Sequence, residues 1–117
     1  RWASLAQTGE VLATRLPTGN AQAQGPALAR TMGGCFLASW VEGEGKATRT
    51  EVARVCDGRG APELVAGSRA TLSAPGVEGG RATLATDPSA PGAAFVVWQE
   101  LPAGKPAELR IAKLACR

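Results

Sequence analysis

No histidine and no tyrosine occur anywhere in this chain. The first absence removes the imidazole base of Ser-His-Asp and Cys-His catalysis and every histidine-ligated metal site. The second removes a tyrosine nucleophile of the kind some glycosidases use. Aromatic residues amount to 4%, three Trp and two Phe, so a core must be assembled from Val, Leu and Ala around a few large anchors. The three cysteines form no Cys-x-x-Cys pair, which excludes the common zinc spacings. No apolar run approaches the roughly 20 residues of a membrane-spanning helix. The chain opens on Arg1 with neither a leader nor an initiator Met, which reads as a removed leader or a piece of a longer protein.

Helical periodicity is also missing. The best window, "AQAQGPALARTM" from Ala21 to Met32, is broken by Gly25-Pro26 and leaves room for a short helix at most. Net charge is +3, but the cations are scattered. Nucleic-acid surfaces concentrate Lys and Arg on one face with aromatics interleaved, so no nucleic-acid partner is expected.

What the chain does contain is punctuation: 15 Gly and 8 Pro mark many short elements. "CFLASWV" and "AAFVVWQ" are short apolar runs with β-branched and aromatic residues, as in strands buried on both faces. "EVLATRL", "RTEVARV" and "ELRIAKL" follow Trp-bearing stretches across Gly- or Pro-rich loops, as hairpin partners do. In the last, Arg110 and Lys113 interrupt Leu109, Ile111 and Ala112, so one face is partly wet. Trp2, Trp40 and Trp98 each precede a cation, Arg15, Arg54 or Lys113, at a nearly constant distance. One hairpin is thus written three times. A shorter echo, "GSRATLSAP" and "GGRATLATDP", supplies an outer strand for one unit and an inner strand for the next. Strands are predicted near 10–16, 35–41, 49–56, 68–73, 80–86, 94–100 and 108–115.

This Trp-ended strand, loop and following strand resemble the blade repeat of bacterial β-propellers, whose four-stranded blades of roughly 40–50 residues ring a central channel. The resemblance implies an all-β antiparallel chain of about two and a half blades. It divides the chain into the end of one blade (1–19), a second repeat (20–66) and a third (67–117). Neither the Asp-box spacing nor the Gly-His…Trp-Asp signature is present. A stand-alone seven-stranded β-sandwich satisfies the same pattern and is the alternative. Unfinished blades leave faces and edges that need covering, so expected partners are the rest of a larger propeller or other chains, with a glycan as a further candidate.

Candidate chemistry is sparse. Glu42 and Glu44 fall in one hairpin loop and Glu100 and Glu108 near another. A glycosidase pair would need two carboxylates set across a cleft; solvated loop acids are the expected reading. Hairpin arithmetic about Gly45-Lys46 sets Cys35 opposite Cys56, so a disulfide is expected there, with two buried thiols as the alternative. Cys116 is left over. Trp2, Trp40 and Trp98 are expected as packing anchors between repeats, against sugar platforms. Arg15, Arg54 and Lys113 are expected to pair with acids such as Glu10, Glu51 and Glu108, against a weak anion site. "GEGKAT" lacks the phosphate-loop spacing and precedes a strand. Ser and Thr residues have no base to activate them. No cofactor or catalytic residue is expected. The chain reads as a non-catalytic binding module of a secreted, periplasmic or cell-surface protein. The alternatives are a subunit of a larger surface assembly and part of a propeller glycosidase or lyase with its active residues elsewhere.

Overall fold

The computed structural model describes residues 2–5, 11–14, 22–31, 33–57, 61–90 and 92–115, with Trp2–Leu5, Val11–Thr14 and Ala115 described by backbone alone. Among these the fold is all-β and every strand pairing is antiparallel. The strands are β1 (Trp2–Leu5), β2 (Val11–Thr14), β3 (Ala23–Arg30), β4 (Cys35–Glu42), β5 (Arg49–Asp57), β6 (Pro62–Leu64), β7 (Ala70–Thr71), β8 (Glu78–Thr86), β9 (Ala93–Leu101) and β10 (Glu108–Ala115). They form three sheets: β1-β2, β3-β4-β5-β6 with β7 also on β5, and β10-β9-β8.

Seven of these lie where the sequence predicts them. The window allowed as a short helix is instead mostly strand: Ala23–Arg30 is β3. Gly25-Pro26 falls at a β-bulge between Gln24 and Ala27, where Gly25 takes the left-handed φ of 61°. A bulge absorbs both residues, because its extra position owes no ladder hydrogen bond to the neighbouring strand. β8 carries a matching bulge between Gly79 and Ala82, so the first strand of each larger sheet, at its edge, bends near the same level.

The second and third copies of the repeated hairpin share a register and the first does not: the partner of Trp lies three residues before the cation at positions 54 and 113, but one residue before position 15. Trp2 stands opposite Thr14, Trp40 opposite Glu51 and Trp98 opposite Arg110. β6 and β7 pair with different ends of β5. Between them the Ser68 hydroxyl accepts from the Arg54 amide at 3.1 Å and donates to the Val65 carbonyl at 2.6 Å, bridging the break in the edge.

Alternation along β4 sends Leu37, Ser39 and Val41 to one face and Ala38, Trp40 and Glu42 to the other, and all six are buried. The first face meets the third sheet. Leu37 and Val52 pack with Ala94, and Leu72, Leu84 and Leu114 join this cluster to a second one of Ala82, Val96 and Trp98. The second face packs Trp40 with Ala38, Ala53, Val55 and Leu64. "AAFVVWQ" departs from the expectation of two buried faces. Ala94, Val96, Trp98 and Glu100 are buried, while Phe95, Gln99 and Leu101 are exposed. In β10 the wet face is the one bearing Leu109 and Ile111, 76% and 70% exposed.

Polar contacts lock the two larger sheets together near the bulge in β8. The Gly79 amide donates to the Thr48 carbonyl at 2.8 Å. The Thr48 and Thr50 hydroxyls donate to the Gly79 and Gly80 carbonyls at 2.9 and 2.7 Å. A Cβ on Gly79 would stand 2.6 Å from the Thr50 amide nitrogen, a backbone atom that already donates to the Ser73 hydroxyl at 3.1 Å. Gly79→Ala is therefore expected to destabilise the protein by about 2 kcal/mol, the usual scale of overpacking. Urea unfolding measures it, and a change below a few tenths of a kcal/mol would contradict this packing.

Candidate functional site

Three carboxylates are buried among the described residues, Glu42, Glu51 and Glu100, and two of them, Glu42 and Glu100, follow a tryptophan by two residues on the same strand. That spacing puts side chains on one face. The Trp40 indole N–H donates to Glu42 Oε1 at 3.3 Å, and the Trp98 indole N–H donates to Glu100 Oε2 at 3.0 Å. Glu42 is 2% exposed and Glu100 4%. The expectation of solvated loop acids is thus overturned at both positions: Glu42 ends β4 and Glu100 lies inside β9. "WVE" and "WQE" were the available signal, a buried indole donor two strand positions from an acceptor.

Burying a carboxylate requires partners. Arg69, just before β7, supplies most of them in the second sheet. Its guanidinium bonds Glu42 and also Glu51 at 2.8 Å, and lies 5.5 Å from the Trp40 ring centroid. Arg49 adds a bond to Glu42 at 3.3 Å. Burial acts to lower the pKa of Arg69, but the Glu51 hydrogen bond and the attraction of both carboxylates outweigh it and hold that pKa above the ordinary arginine value. Glu100 receives the Ala74 amide at 3.5 Å and Arg110 at 3.7 Å. Glu44 is exposed, and Glu108, partly exposed, bonds Arg110 at 3.0 Å. Glu42 and Glu100 are each occupied by indole and cationic donors, an arrangement that fixes strand faces in place.

Trp40 and Trp98 are buried at 4% and 7% exposure, so neither presents a ring face to a sugar. The Trp2 side chain lies outside the described residues, as do Arg15, Glu10 and Cys116. Cys35 and Cys56 face each other across β4 and β5 and form a disulfide. It closes a separation of 21 residues, for which chain-entropy arguments give about 3 kcal/mol. The Cys35→Ala, Cys56→Ala double variant should lose that amount in denaturant unfolding. An unchanged midpoint would show that the hairpin owes the bond nothing.

The repeated cations take other partners than expected. Glu51 goes to Arg69 rather than Arg54, and Lys113 bonds Asp87 at 3.1 Å rather than Glu108. Hydrogen bonds from the Ser89 hydroxyl and from Lys113 hold the Asp87 carboxyl below its usual pKa. Its contribution to stability is thus present above the ordinary aspartate range and is lost as pH falls through the lowered value. Arg54 and Lys113 do share one cavity of about 420 Å³, floored by Leu37, Val52 and Leu114. Among the described residues no cluster of three potential metal ligands occurs, and no helix is long and apolar enough to cross a membrane.

No family model, curated protein or solved structure matches the chain.

Proposed function

We propose that the chain is a non-catalytic β-repeat module of the propeller-blade type that binds protein partners, within a secreted, periplasmic or cell-surface protein. One observation carries the reading. The second and third sheets repeat the same Trp-x-Glu hairpin and stack in the same sense, the Trp98–Glu100 face of the third against the face of the second that lies opposite Trp40 and Glu42, which leaves an apolar face of the third sheet turned outward. The shared register and paired bulges support blade-like repetition. The disulfide supports an oxidising compartment. Burial of Trp40 and Trp98 favours protein over glycan.

The test is selection from a phage-displayed library of constrained β-hairpin peptides, run in parallel on the native protein and on Ile111→Lys. Clones that require Ile111 are the expected result. Recovery of Ile111-independent clones alone, or turnover of aryl glycosides that Glu44→Gln abolishes, would overturn the reading.

A further inference from the structure

The disulfide between β4 and β5 has two unlike ends. Cys35, the first residue of β4, is buried, and the Arg54 guanidinium donates to its Sγ at 3.6 Å. Cys56 is half-buried, and the residue opposite it on the other side of β5 is Glu63 of β6. Residues directly opposite in an antiparallel pair share a face, with Cβ atoms about 5 Å apart, so the exposed Glu63 side chain stands beside Cys56. One sulfur has a cation as neighbour and the other a carboxylate. Register produces this. Leu37 is opposite Arg54 and Cys35 opposite Cys56, so Arg54 and the disulfide lie on one face of the sheet, two positions apart. In the third hairpin the equivalent pair is Ala93 opposite Ala115, with Lys113 in the place of Arg54. The sulfur chemistry belongs to the second hairpin and not to the repeat.

We infer that Cys56 is a covalent capture site for low-molecular-weight aminothiols, with Cys35 as the leaving sulfur and Arg54 as the group that holds its thiolate; this goes beyond the protein-binding reading and does not rest on it. In thiol–disulfide exchange the sulfur that leaves faster is the one with the more stable thiolate. A neighbouring cation stabilises a thiolate and a neighbouring carboxylate opposes it. Cys35 therefore leaves and Cys56 is attacked. Attack runs in line with the S–S bond, so it reaches Cys56 from the side away from β4, over β6, where Glu63 lies. A thiol bearing an ammonium group is attracted there, and one bearing a carboxylate is repelled.

The step balances without an oxidant. The aminothiol gives its proton to solvent and enters as thiolate. Its sulfur bonds Cys56 Sγ, the Cys35–Cys56 bond breaks, and the electron pair of that bond stays on Cys35 Sγ beside Arg54. One disulfide is consumed and one is formed. The product carries the aminothiol on Cys56, and the end of the β4–β5 ladder loses its covalent tie.

The test exposes the native, intact chain to cysteamine under argon, quenches early with N-ethylmaleimide and reads the products by tryptic peptide mass spectrometry. Cleavage after Arg30, Lys46, Arg54, Arg59 and Lys113 puts the three cysteines in separate peptides, so Cys116 is read on its own. The expected product carries cysteamine on Cys56 and maleimide on Cys35, in about tenfold excess or more over the reverse. Glu63→Gln, at an exposed position, should slow capture of cysteamine and hasten that of mercaptoacetate, each about two- to threefold, the scale of an exposed charge pair. Each thiol is compared with itself, so the difference in their acidities cancels. Arg54→Gln should slow both thiols about threefold or more and Arg54→Lys should slow them less; in urea all variants should react alike. Equal adducts or an excess on Cys35 overturns the inference, as does a native chain that takes no thiol. That regiochemistry is read on the wild-type chain, so it decides the matter whether or not an Arg54 variant folds. Cysteamine and mercaptoacetate responding alike to Glu63→Gln overturns the aminothiol class, and rates unchanged in Arg54→Gln overturn the role of Arg54.

Discussion

Trp98→Ala is expected to destabilise the protein by about 3–5 kcal/mol, the range for deleting a large aromatic from a core. The indole sits at the junction of the two larger sheets. It packs with Ala82 and Val96 of its own sheet and with Leu72, which also reaches the Leu37–Val52 cluster of the next. Removing it opens a cavity between sheets rather than within one, where neither can collapse without losing the Thr48 and Thr50 bonds to Gly79 and Gly80. It also strips from Glu100 its closest hydrogen-bond donor, leaving the Ala74 amide at 3.5 Å and Arg110 at 3.7 Å. Trp98→Phe separates the two effects, since it keeps most of the volume and discards the N–H. Guanidinium unfolding of both variants should place Phe between wild type and Ala. If Ala lost less than about 1 kcal/mol, the indole would not be a core anchor. If Phe matched wild type, the bond to Glu100 would contribute nothing.

How far the sequence disclosed this arrangement depends on whether the controlling contacts are local. β4, β5, β9 and β10 are legible because runs such as "CFLASWV" and "AAFVVWQ" concentrate strand-forming side chains between turn residues. The disulfide is legible because hairpin register follows from turn position, which sets Cys35 on Cys56. β3 is not, because Gly25-Pro26 interrupts any regular element and only a bulge reconciles it with a strand. β6, three residues with a buried proline, is too short to announce itself. Nor does a contiguous apolar run tell which face a neighbour covers: β4 and β9 read alike, yet β4 is buried on both faces and β9 on one. The burial of Glu42 is the least legible of all. Its main partner, Arg69, lies 27 residues downstream, and the one local mark that separates Glu42 from exposed Glu44 is the Trp40 indole two positions before it.

That long-range pairing makes Arg69→Ala the companion prediction, with an expected loss of about 3–4 kcal/mol. Removing one member of a buried ionic group costs more than the group contributes, because the remaining charge is stranded without solvent. Here two carboxylates would lose a partner. Glu51 is 3% exposed and Arg69 is its hydrogen-bond partner through Oε1, while its Oε2 makes no hydrogen bond among the described residues. Glu42 keeps the Trp40 indole and half-exposed Arg49. Most of the loss should therefore trace to Glu51, and a double-mutant cycle isolates it. Glu51→Gln removes that charge and keeps the shape, so Arg69→Ala made in the Glu51→Gln background should cost at least about 1 kcal/mol less than in wild type, the size of coupling seen between directly bonded residues. Arg69→Lys should recover only part of the stability. An ammonium cannot reach Glu42 and Glu51 with the planar fork that also lies on Trp40. Additive effects of the Arg69 and Glu51 substitutions, measured by urea unfolding, would show that the carboxylates are not held by Arg69. The tie from the β7 edge to the Trp-x-Glu face would then lie elsewhere. Coupling of the expected size would make Arg69 the residue that lets a sheet buried on both faces carry two acids in its interior.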